Sequence, residues 1–175
     1  MANFEFKESF DNFLKLRKAL KFLKNNPVYV GIPEDTTERK EEGNEEKVGI
    51  TNADLLFIHT KGSPVNNIPA RPVIEPAIEN SKDKITNQMK AAAKAVLEVN
   101  EEKAFKHLSL AGMYAQNASR SWFTNPENNW PPNSPAVIAI KKRKGSTNPR
   151  PLIDTGELRK SITYFVDKEG TRTKW

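Results

Sequence analysis

The side chains of this sequence that lend themselves to chemistry are a pair of histidines, an acidic block and a run of bases, and their spacing decides what each can do. His59 and His107 lie far apart, with no His-Glu-x-x-His spacing for a metal and no Gly-x-Ser-x-Gly turn for a nucleophile. His59 therefore reads as packing or capping near a helix end, and His107 as an ordinary surface position. Residues 34–47 hold seven acids against three bases, a local net charge of −4. The stretch contains no apolar residue, so it reads as a mobile, solvated acidic loop in which no carboxylate pair is held at a fixed separation. It also lacks the glycine and alternation of a calcium loop. The eight glycines are scattered rather than gathered into a phosphate cradle, which disfavours nucleotide hydrolysis. Without cysteine there is no disulfide, no thiolate chemistry and no Cys-type zinc site. The expectation is a protein that is not an enzyme and needs no cofactor.

Two basic features remain. Lys141, Lys142, Arg143 and Lys144 are consecutive, and such a run at a helix end neutralises several phosphates, so these are the DNA-facing candidates. The same run equally suits the negative end of a helix dipole or the acidic face of a neighbouring subunit. Arg71, between Ala70 and Pro72 in a stiff turn, either pins its backbone through a carboxylate, Asp154 or Glu75, or is an ordinary exposed arginine.

Several elements must position these groups. Phe6, Phe10, Phe13, Leu16, Leu20 and Leu23 recur at helical spacing, with Lys and acidic residues on the other face, which predicts an amphipathic helix over about residues 6–24. Asn25-Asn26-Pro27 ends it, and residues 28–32 read as a strand. Thr51 caps a helix of about ten residues that Gly62 stops. Residues 63–76 form a proline-stiffened connection. Two helices follow, broken near Val99-Asn100, as an antiparallel pair or a bent rod; Ala111, Gly112, Ala115 and Ala118 permit close helix contact. Ser134 caps a short helix with Pro135 at its first position. Asp154 is placed to cap a further helical turn, with Glu157 closing a capping box, and residues 162–166 read as a second strand pairing with the first, with a weak third strand at the C-terminal end.

Three stretches carry a family resemblance. Residues 57–64 (Phe-Ile-His-Thr-Lys-Gly-Ser-Pro), residues 68–72 (Ile-Pro-Ala-Arg-Pro) and residues 150–162, preceded by Ser134-Pro135-Ala136, resemble in this order the helix end, turn and closing segment of tail-completion and head–tail joining proteins of tailed bacteriophages. The resemblance spans residues 28–33 and 52–166; the acidic stretch 34–47 and Lys61, where an aromatic is common, depart from it. It implies a structural subunit of the virion neck, assembling as a homo-oligomeric ring around the DNA path. Its implied partners are portal and adaptor proteins on the head side and tail terminator or tail tube proteins on the other, with non-specific contact to genomic DNA. A tail terminator and a basic nucleic-acid-binding module are the alternatives.

Composition bounds this reading. The 175 residues suit a single domain of α+β class: a small, mainly antiparallel sheet with an N-terminal amphipathic helix, a central long helix pair and Pro-rich loops or arms. A hydrophobic share of 37% and a mean hydropathy of −0.69 mean that much of the chain faces solvent or buries itself against partner chains. The net charge of +6 becomes +10 outside residues 34–47. There is no signal pattern and no apolar run long enough for a membrane span, so a soluble protein made in the host cytoplasm and carried into the virion is expected, without a membrane partner. The subunit-interface candidates are Ile68, Pro69, Ala70, Arg71 and Pro72 in the stiff turn, Pro151 in the closing segment, and Trp122, Trp130 and Trp175 as aromatic anchors.

Overall fold

Helical periodicity at the N-terminus becomes helix α1, Ala2–Asn25, slightly longer than expected. In this computed structural model residues 2–33 and 49–168 are described, residues 2–10 by backbone alone. The acidic stretch 34–47, the weak third strand and Trp175 lie outside the described residues. The remaining elements are β1 (Val28–Gly31), α2 (Asn52–Lys61), α3 (Ile74–Asn80), α4 (Lys82–Leu97), α5 (Glu101–Trp122), α6 (Pro135–Arg143), α7 (Glu157–Ser161) and β2 (Thr163–Val166). The strands β1 and β2 pair into a small antiparallel sheet, and the class is α+β. The described residues group into two compact units: one of 2–29, 82–114 and 164–168, the other of 30–33, 49–81 and 115–163.

In the first unit α1 packs against α4. Asn26, 1% exposed, ends α1 by donating from Nδ2 to the Phe22 carbonyl at 2.7 Å, and Pro27 blocks further helix. The helix is held through buried Ala19 and half-buried Phe22 and Leu23, and the Phe22 ring meets Phe105 edge-on with centroids 5.1 Å apart. The other apolar positions of the stripe do not follow. Phe13, Leu16 and Leu20 are 59%, 49% and 60% exposed, so the amphipathic face seen in the sequence is only partly covered.

The helix pair α4 and α5 is an antiparallel hairpin, as its Gln88–His107 hydrogen bond between ascending and descending arms requires. Val99 turns the chain with φ of 59°, the Asn100 amide returns to the Ala95 carbonyl at 2.9 Å, and Asn100 Oδ1 accepts from the Lys103 amide to start α5. Ala92, Ala95, Ala104, Leu108 and Ala111 are at most 1% exposed, so small side chains bring the helices together. Gly112 serves a different neighbour. An added Cβ there would stand 2.3 Å from Cδ2 of Tyr164, so the glycine admits a ring from β2 and not a helix.

In the second unit, Leu56, Val73, Ala77, Trp122, Phe123, Leu158 and Ile162 form the core. Helix α2 opens on the expected capping box: Thr51 Oγ1 accepts from the Asp54 amide at 3.1 Å, while Asp54 Oδ2 accepts from the Thr51 amide at 2.9 Å. Asn52, fully buried, ties α2 to α7 by donating from Nδ2 to Ser161 Oγ at 2.9 Å. Arg120 of α5 secures the following segment, donating to the carbonyls of Ile162 and Lys160, both at 2.9 Å.

The start of α7 differs from expectation. Asp154 does not cap it and Glu157 does not close a box; the helix begins at Glu157 with Gly156 as its cap at φ of 79°, and Thr155 Oγ1 accepts from the Glu157 amide at 3.3 Å. Residues 150–155 are instead occupied by a turn, with Leu152 at φ of 57°, so the helix starts three residues after Asp154.

Replacing Gly112 by alanine gains about 1 kcal/mol of helix propensity. Forcing a methyl into the Tyr164 ring costs about 1–3 kcal/mol, so the variant should lose about 1 kcal/mol by chemical denaturation. In a Tyr164→Ala background the same substitution should cause no loss, because the obstacle is gone. The Thr51 hydrogen bonds hold the Asp54 carboxyl below its ordinary 3.8. Because the folded value is the lower one, this stabilisation is complete above 3.8 and disappears as pH falls through the depressed folded value. The melting temperature of Asp54→Asn should therefore lie below that of the parent at neutral pH and converge with it in acid.

Candidate functional site

The segments that carry the resemblance come together in the second unit. Gly62 ends α2 at φ of 74°, with its amide on the Ile58 carbonyl at 2.7 Å. A Cβ there would lie 2.9 Å from the Ala70 nitrogen, so the helix end and the turn after it require glycine twice over, for conformation and for space. Residues 63–68 make a tight loop closed by reciprocal Ser63–Ile68 backbone bonds of 2.8 and 2.9 Å. The Arg71 amide then reaches the His59 carbonyl at 2.6 Å. The helix end at 58–62 and the turn at 68–72 are thus one hydrogen-bonded device.

Arg71 is 6% exposed and has found no carboxylate. Its Nε and Nη2 donate to the Pro131 carbonyl at 3.2 and 2.9 Å, and Nη2 also to Pro132 at 3.2 Å. Burial pushes the guanidinium below its usual range. The reason for the choice of partner lies in the proline pair: an extended segment without amides cannot bond its own carbonyls, and an arginine fork satisfies two at once. Trp130 returns the favour, its indole Nε1 donating to the Pro72 carbonyl at 3.1 Å while the ring meets Phe123 edge-on at 5.7 Å. Arg71 and Trp130 are therefore engaged within their own chain, and Trp122, 6% exposed, belongs to the core, which removes its use as an interface anchor.

Lys141 is likewise withdrawn from the basic run. It is 9% exposed, and its Nζ donates to the carbonyls of Asn148 at 3.4 Å, Arg150 at 2.8 Å and Ile153 at 2.5 Å. Burial pushes the amine down from 10.5, and Asp154 nearby partly holds it up. Lys141 is thus the hub of the 146–155 turn and not a phosphate contact. Lys142, Arg143 and Lys144 remain exposed.

Around these devices lies an open groove of about 1160 Å³. The end of α2 and the 64–71 loop form one side, residues 132–137 another, and residues 152–158 a third. Ile68 and Pro69 line it half-buried with exposed Ala70, while Pro72 and Pro151 are half-buried behind them. Val137, Leu152 and Ile153 give apolar wall; Asp154, Glu157 and Lys61 supply charge. His59 lines the groove, whereas His107 sits in the α4–α5 hairpin on Gln88 Oε1 at 2.8 Å, so the histidines serve different places. Among the described residues no group of three or more His, Cys, Asp or Glu is arranged to hold a metal ion. What the groove offers is shape and apolar surface, the means of docking.

Val137, Leu152 and Ile153 were not singled out in the sequence, and little there marks them: Leu152 takes a left-handed φ with none of the glycine or asparagine that usually announces one. No protein-family model, no curated protein and no solved structure matches the chain.

Removing the Lys141 ammonium leaves the turn's carbonyls without their donor. Lys141→Met should cost about 2 kcal/mol, the scale of hydrogen bonds from a charged donor, and speed amide exchange across 146–156. Lys142→Met should stay within about 0.5 kcal/mol, as an exposed substitution does. Equal effects from both would contradict the assignment.

Proposed function

We propose that this chain is a structural subunit of the neck of a tailed-bacteriophage virion, completing the tail and joining it to the head as a ring around the DNA path. The observation that carries the reading is the convergence of the resembling segments: residues 58–62, 68–72, 134–137 and 151–158 line one groove, although they are scattered over a hundred positions of sequence. Stiff, hydrogen-bonded turns around an apolar groove suit a subunit whose task is to present a fixed surface to neighbours. The portal or adaptor on the head side and the terminator or tube on the tail side are the neighbours this role requires.

The exposed bases Lys142, Arg143 and Lys144 give the reading an electrostatic corollary. In a ring around DNA they would meet phosphates without reading bases, a contact that weakens steeply with salt. A free-standing nucleic-acid-binding module is the second reading they favour.

The test is electron microscopy of phage particles produced without this chain. Filled heads beside finished, unattached tails are expected. Overlong tails would make it a terminator, and normal infectious particles would remove the neck role. Neutralising Lys142, Arg143 and Lys144 together should lower duplex-DNA affinity at low salt while leaving joining intact; loss of tight DNA binding as the only defect would favour the module.

A further inference from the structure

Helix α1 carries more apolar surface than its own unit covers. Every residue from 11 to 18 is exposed, so more than two turns stand clear of packing. A helix of that length draws its stability from a buried face and is marginal without one. Phe13, Leu16 and Leu20, at 59%, 49% and 60% exposure, fall at i, i+3 and i+7, the anchor spacing by which an amphipathic helix enters a groove. Helical rotation places Arg17, Lys21 and Lys24, all exposed, along one flank of that stripe.

The groove of the second unit has the complementary character. Its wall is apolar at Ile68, Val137, Leu152 and Ile153, and its rim carries the carboxylates Asp154 and Glu157 against the single exposed cation Lys61. The other cations of the groove, Arg71 and Lys141, are committed to backbone carbonyls. Donor helix and acceptor groove are different surfaces of the same polypeptide. A contact between them in trans is heterologous, and heterologous contacts are what generate rings when the rotation closes.

We propose that α1 of one copy lays its Phe13, Leu16 and Leu20 stripe into the groove of the next copy, with Arg17, Lys21 and Lys24 toward Asp154 and Glu157. The inference rests on the ring reading for its setting and supplies that reading with its joint. It commits the groove to one occupant, a second copy of this chain.

The test is sedimentation of the purified full-length chain over a range of concentrations. The parent should assemble beyond the monomer. A helix variant, Leu16→Glu with Leu20→Glu, and a groove variant, Val137→Arg, alter exposed side chains, so circular dichroism and melting temperature should stay close to the parent's. Each should weaken self-association by about a hundredfold, as loss of central anchors does. The helix variant keeps an intact groove and the groove variant an intact helix, so an equal mixture should recover a dimer and stop there. In the background of Asp154→Lys with Glu157→Lys, which weakens assembly, Arg17→Glu with Lys21→Glu should restore it.

A parent that stays monomeric at every concentration overturns the inference. So does a groove variant that assembles as the parent does, which would point to helix–helix pairing, or a mixture that yields no dimer. Binding of the helix stripe to anionic phosphatidylglycerol vesicles, lost in Leu16→Glu with Leu20→Glu while the parent remains monomeric, would assign the stripe to a lipid surface instead. The ring reading is judged separately by the particles made without the chain: unattached tails together with assembling variants would retain the neck role and discard only this joint.

Discussion

The second unit depends on how a proline-rich backbone gets its carbonyls satisfied. Segments 68–72 and 130–132 are poor in amides, and carbonyls withdrawn from water without a donor are costly. The chain meets the requirement by crossing the two segments. The Arg71 fork donates to Pro131 and Pro132, and the Trp130 indole donates back to Pro72. With the Arg71 amide on the His59 carbonyl, the end of α2 is drawn into the same lock. The core beneath, with Val73 fully buried, can close only when this lock is made, because Val73 follows directly on the bonded turn.

Lys141 repeats the solution a second time. Its ammonium gathers the carbonyls of Asn148, Arg150 and Ile153, from a turn that likewise has prolines at 149 and 151. In both places a cation is buried against carbonyl dipoles and not against a carboxylate. Several neutral acceptors from one turn fix its path as an ion pair with a single acid would not, since each bond constrains a different peptide. Desolvation lowers the pKa of both cations, the cost of placing charge where the backbone needs donors. The result is a groove whose shape is set by backbone and whose walls are left free for contact.

The unevenness of apolar burial bears on function. The α4–α5 hairpin closes tightly on alanines, yet α1 leaves Phe13, Leu16 and Leu20 open to solvent. A stable subunit core beside an uncovered helix face is the pattern of a chain whose remaining burial comes from association. Low overall hydropathy already suggested a modest core; the structure locates where the unspent apolar surface lies.

Much of the fold was legible in the residues because it follows from local rules. The Thr51 cap, the Gly62 stop, the Pro135 start, the break near Asn100 and the pairing of the strands all rest on interactions within a few residues or on simple alternation, and these appear as expected. The partners of Arg71 and Lys141, the core burial of Trp122, the use of Gly112 to seat Tyr164 and the late start of α7 were not legible. Each depends on a group brought from far along the chain. By itself the sequence determined where helices and strands begin and end, since caps, prolines and periodicity act locally. Only the tertiary structure decided which charges are spent on carbonyls and which apolar faces stay open, because desolvation and burial depend on every neighbour that packing brings within a few ångströms.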